Sequence, residues 1–180
     1  MKLSFSTRGW ADHSWDELVS TALEMDFSGI EIHNPIINAV FTGKGGPLER
    51  YNTQATARAL RDKGLCIPAL DSSVDISAGK EQIQAAKDLI DLAAAAGVER
   101  VVVVAQNDDE DAIHAALAEL VPYAEASDVV LLIESSGIFS STTRMAGIMD
   151  RYASDYLGTL WDVHNVYRTG GETPAQTVKN

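Results

Sequence analysis

The chain has 180 residues, 46% of them hydrophobic, which is enough for one globular domain with a sizeable core. Its 26 acidic and 14 basic side chains give a formal charge of −12, and the basic residues form no run, which argues against nucleic acid as a partner. The single cysteine, Cys66, excludes an intramolecular disulfide and a thiolate zinc site. The amino terminus lacks the apolar segment of a signal peptide and no apolar stretch is long enough to cross a bilayer, so the expected setting is cytoplasmic with no membrane partner.

Short β-rich runs alternate with longer segments of helical periodicity. KLSFST (2–7) is the first expected strand; the turn after it, TRGWADHS, carries Arg8 and has neither a Gly-x-Gly-x-x-Gly nor a Walker signature. A helix is expected over 14–26, where Ser14 and Glu17 have capping-box spacing. GIEIHN (29–34) follows, with Glu31 and His33 on one side by alternation. The connection PIINAVFTGKGGPLERYN contains two prolines and three glycines and is a candidate lid or substrate wall. Helices over 53–64 and 80–97, ending at Gly64 and Gly97, flank the expected third strand, CIPALDSS (66–73). That strand carries Asp71 and begins with Cys66, for which core filling is expected. RVVVVAQ (100–106) ends in Gln106, a helix over 109–127 contains His114, and VVLLIESS (129–136) carries Glu134. After a helix over 141–154, LGTLWDVHN (157–165) delivers Asp162, His164 and Asn165.

Strands and helices in this order imply right-handed βαβ crossovers and an α/β class with a mainly parallel sheet. Polar residues gather at the C-terminal ends of nearly every strand, the ends that a barrel brings to one mouth. Glu134 and Asp162 stand out, because each directly follows an apolar run that reads as buried on both faces. A carboxylate there is expensive unless it is paired or bound to a cation. A cap on a neighbouring loop or an ion pair with Arg144 or Arg168 would answer the cost; two acids on successive strands point instead to a shared divalent ion. His164 shares a face with Asp162 if the strand continues, and Asn165 is the alternative beyond the strand end. Tyr167 and Arg168 are candidate contacts to a hydroxylated or anionic substrate. His33 beside Glu31 is a candidate substrate residue or a hydrogen-bonded structural pair; His13 and His114 are expected to be structural.

The segments KLSFSTRGW, FSGIEIHNP, VVLLIESSG and above all LWDVHNVYRTGGETP resemble the xylose-isomerase-like TIM barrel superfamily, which includes sugar phosphate isomerases, epimerases and endonuclease IV. The resemblance implies a (β/α)8 barrel holding Mn, Mg, Co or Zn through a Glu after strand five, an Asp after strand six, a His after strand seven and an acid after strand eight. Glu134 and Asp162 match the first two positions. A His commonly found three residues after the second acid is Asn165 here. Such a barrel takes ~250 residues, so residues 1–180 are expected to form a single barrel domain truncated after about six βα units, without strands seven and eight. On this resemblance the expected activity is metal-dependent isomerisation or epimerisation of a sugar-like polyol through an enediolate. Glu134 would be ligand and acid or base, Asp162 a ligand, and His33, His164, Asn165 and Arg168 substrate contacts. The 180-residue chain alone is expected to bind metal weakly, to be inactive, and to self-associate through open barrel edges. Competing expectations are a non-catalytic binding module and a lyase or phosphoesterase of the same superfamily.

Overall fold

A computed structural model of the chain describes residues 2–180. Six parallel strands alternate with helices in a TIM-barrel-like α/β fold, the strands standing in the sheet in the order in which they occur in the chain. The chain forms two compact units: one runs to Ser72 and includes Asp91–Val101, and the other comprises Ser73–Ile90 and Val102–Asn180. Among the described residues no helix is long and apolar enough to cross a membrane.

The first unit contains β1 (Ser4–Ser6), α1 (Trp15–Glu24), β2 (Gly29–His33), α2 (Ala39–Thr42) and α3 (Thr53–Asp62); β3 (Leu70–Asp75), α4 (Lys80–Ala96) and β4 (Arg100–Val104) have residues in both units. The Ser14 hydroxyl accepts the Glu17 N–H while the Glu17 carboxylate accepts the Ser14 N–H, so α1 begins where its capping box predicts. In β2, fully buried Ile30 and Ile32 alternate with half-buried Glu31 and His33. β1 and β2 pair with Phe5 opposite Ile30, and β2 pairs with β3 with His33 opposite Asp71.

Two expectations for this unit are corrected. The third strand begins at Leu70 and not at Cys66, which makes only an isolated bridge to Gly29. Pro68 has no N–H to donate and interrupts the ladder between them. Cys66 is therefore exposed instead of filling the core. The 35–52 connection also has structure of its own. The Asn38 side chain accepts the Val40 N–H to start α2, and Phe41 and Leu48 are buried and joined by a backbone hydrogen bond.

The second unit adds α5 (Glu110–Ala126), β5 (Val130–Glu134), α6 (Thr142–Tyr152), β6 (Leu157–Leu160), α7 (Val163–Arg168) and α8 (Pro174–Thr177). Ile113, Ala116, Leu117, Leu120 and Ala124 put one buried stripe along α5 at helical spacing, and Leu131 and Ile133 supply the buried positions of β5. Full burial of each large aliphatic contributes ~1.5–3 kcal/mol, so this stripe is what fixes β5 and the residues at its end. Among the described residues β6 has a strand neighbour on one side only, and its Thr159 is exposed, so it is not buried on both faces as its sequence suggests. Ala153, at the C-terminus of α6, adopts a left-handed backbone with φ 38°.

A candidate carboxylate site at the ends of β5 and β6

The site is built by strand register. Leu131 to Glu134 pair with Leu157 to Leu160, and the ladder closes with the Ser135 N–H donating to the Leu160 carbonyl at 2.9 Å. Two residues farther on, the Asp162 N–H donates to the Ser135 hydroxyl at 2.7 Å, tying the end of one strand to the exit of the other. Glu134 is buried at 8% exposure, whereas Asp162 is half-buried.

The chain does not stay extended beyond Asp162. One Asp162 oxygen accepts the Asn165 backbone N–H at 2.9 Å, which makes Asp162 the N-cap of α7. Helical rotation then carries His164 into solvent and turns Asn165 back toward the acids. The Asn165 side-chain nitrogen lies 3.0 Å from the other Asp162 oxygen and 3.2 Å from Glu134 Oε1. One amide group thus holds both carboxylates. Arg168 and Tyr167 lie exposed on α7, and Arg144 is committed elsewhere, pairing with Asp108 at 2.6 Å and Glu110 at 2.7 Å.

The loop after β5 buries Ser136 and Ser140, whose hydroxyls have no hydrogen-bond partner among the described residues. Glu172 caps α6 from the far side of the chain, accepting the Thr142 N–H at 3.0 Å. Gly170 makes that return possible: a Cβ there would collide with the Ser140 carbonyl oxygen. None of these supporting contacts is readable from one sequence, although Ser135 and Ser136 adjoin Glu134 in the ESS run.

In the first unit, His33 makes three polar contacts. Its Nδ1 lies 2.6 Å from Asp71 Oδ2, its Nε2 lies 3.0 Å from the Asn34 amide nitrogen, and its backbone N–H donates to the Thr7 hydroxyl at 2.9 Å. A neutral ring donating to Asp71 and accepting from Asn34 satisfies both ring nitrogens. Asn34 reaches back because its backbone is left-handed, with φ 49°, a conformation asparagine tolerates well. The partner of His33 that the structure identifies is therefore Asp71, paired across strands.

Two strand-end carboxylates are thus tied by one amide. The comparisons supply the class: the chain matches the xylose isomerase-like TIM barrel family over residues 19–180, and it belongs to that family. Nothing among curated proteins matches the sequence. Among solved structures, the IolI protein with a bound zinc atom superposes with a TM-score of 0.77 at 17% identity, over 100% of this chain and 68% of that one. The probable 3-DHS dehydratase AsbF of Bacillus anthracis, involved in petrobactin synthesis, gives 0.75 at 18% identity over 94% and 66%. An L-ribulose 3-epimerase gives 0.69 at 17% identity over 96% and 64%. The chain thus spans about two thirds of the length of these structures.

The donor set agrees with a cation in its chemistry. Glu134 and Asp162 offer hard oxygen donors, and both already converge on a single electron-poor NH2 group. Among the described residues no group of three His, Cys, Asp or Glu side chains is arranged to complete a metal site.

Proposed function

We propose that this chain is the larger part of a divalent-metal-dependent isomerase or epimerase acting on a sugar or sugar-like polyol, its barrel domain completed by strands that carry the remaining ligands. The observation that carries the reading is the convergence of Glu134 and Asp162 on the Asn165 amide, in a family that includes an epimerase and a zinc-bound structure among the relatives of this fold. Glu134 and Asp162 would hold Mn, Mg, Co or Zn. When bound, the cation supplies Lewis acidity that favours loss of a proton next to a substrate carbonyl.

Glu134 is the group that takes and returns that proton. It is buried at the end of a rigid strand, which holds its carboxylate in place and excludes water from it. Asp162 acts as a ligand, with its orientation fixed by the Ser135 hydroxyl and the α7 cap. Asn165 orients a substrate hydroxyl, and His164 and Arg168 meet the substrate from the exposed side of α7. In the first unit, His33 would offer the substrate a wall and not a base, since both of its ring nitrogens are engaged. A cytoplasmic location belongs to the same proposal, as does weak metal binding and no turnover by the 180 residues alone. The similarity to a probable dehydratase favours one second reading, loss of water from a sugar-like acid by the same proton abstraction.

The test is Mn²⁺ binding to the chain, followed by the electron paramagnetic resonance signal of free Mn²⁺ up to millimolar concentration. Binding lost in both Glu134→Ala and Asp162→Ala is the expected result. Binding unaffected by either substitution, or none at all, overturns the metal-enzyme reading in favour of a non-catalytic module.

A further inference from the structure

We infer that Asn165 is an internal counter-group for the acid pair, holding Glu134 and Asp162 together without a cation and yielding its place when one binds. The inference rests on the metal reading above and adds how the site is kept assembled and how its affinity is set. An amide NH2 group has two hydrogens and no negative charge. Here both hydrogens are directed at oxygens of different carboxylates, at 3.2 and 3.0 Å. The lone pairs that accept these hydrogens are ones a divalent cation would take, so the two occupants compete.

The surrounding contacts explain why the amide is available for this task. The Asn165 backbone N–H is already consumed by the Asp162 cap, so the side chain is pinned at the first turn of α7 at a fixed distance from the acids. Rotation of the amide about its last side-chain torsion, which is soft and roughly two-fold, turns the NH2 group away and presents the amide oxygen in its place. No backbone movement is required. A longer or basic side chain would hold the acids more tightly and exclude the cation; alanine would remove the donor that the two acids share. Asparagine gives an intermediate result, an assembled site that a cation can still enter.

Competition by hydrogen bonds to charged groups, which are among the stronger ones in proteins, predicts a loss of affinity of roughly tenfold or more. Removing the competitor should restore it. The experiment compares Mn²⁺ binding to the wild-type chain, Asn165→Ala and Asn165→Asp by paramagnetic broadening of backbone amide resonances, with Glu134→Gln as the control for the site. The same spectra report whether each variant remains folded. Expected are an apparent Kd about tenfold lower in Asn165→Ala, a still lower one in Asn165→Asp, and broadening centred on residues near 134 and 162 in each. A purely structural role for Asn165 would leave affinity unchanged or reduce it through disorder. An Asn165→Ala chain that binds Mn²⁺ equally or more weakly, while wild-type binding still depends on Glu134, overturns the counter-group and leaves the metal reading standing. Absence of Glu134-dependent binding in all three proteins overturns both.

Discussion

A buried carboxylate needs partners, and the two units solve that requirement differently. Glu134 shares a donor with Asp162, whereas Asp71 is matched to one imidazole at 2.6 Å. Replacing Asp71 with Ala should therefore remove the acceptor that orients His33, with an expected cost of ~1–3 kcal/mol. Urea denaturation checks this, and a variant as stable as the wild type would show that the contact is dispensable. Ser135→Ala should cost about 1 kcal/mol by the same measurement, because the Asp162 N–H then loses its partner at the strand exit. At this scale the sequence was informative about acids and silent about their neighbours. Glu134 and Asp162 are conspicuous because each follows an apolar run. The choice between His164 and Asn165 depends on where extension gives way to helix, which Asp162 decides by capping α7. The pairing of His33 with Asp71 depends on strand register, which a single sequence does not encode locally.

Among the elements, α1 and the α7–α8 turn give the sharpest expectations. The Glu17 carboxyl is held below its ordinary range first by the Ser14 backbone N–H and then by the Ser14 hydroxyl. A depressed folded-state value means that this contact adds stability above the unfolded-state value and loses it as pH falls through the folded one. Thermal midpoints of the wild type and Glu17→Gln should accordingly differ most near neutrality and converge in acid; a gap independent of pH would contradict the capping role. Gly170→Ala should destabilise the chain by ~1–3 kcal/mol, since its Cβ would collide with the Ser140 carbonyl oxygen and pry Glu172 from the start of α6. A lowered thermal midpoint is the sign to look for. The long amphipathic elements α4 and α5 were legible to within about a turn because period and composition agree over 17 residues each. Short elements were not: α2 and α7 span 4 and 6 residues, too few for periodicity, and exist through the Asn38 and Asp162 caps.

For the molecule as a whole, alternation of two hydrophobic periods was sufficient to identify the parallel α/β class, because six strand–helix repeats admit few topologies. The burial of β6 was misjudged for a reason that lies outside local sequence: a strand is covered on both faces only if something covers it, and Thr159 is open. Beside this edge the second unit exposes Trp161 and Val178, which line one groove with Met145 and Met149. We expect the isolated chain to self-associate there, since an unpaired strand edge flanked by apolar side chains is a template for pairing. Sedimentation velocity should show mass rising with concentration, and Trp161→Lys should return the chain to monomer; a wild type monomeric at every concentration would refute the idea.

Asp162 has a double duty. Its carboxylate starts a helix through one oxygen and faces Glu134 through the Asn165 amide with the other. Asparagine or serine at 162 could still start that helix, since both are good caps, yet neither would bring the negative charge. On the metal reading proposed above, a single conservative exchange at 162 would remove a ligand's charge while keeping the architecture. On that reading the residue at 162, more than the overall likeness of the fold, decides whether a chain of this architecture can hold the cation.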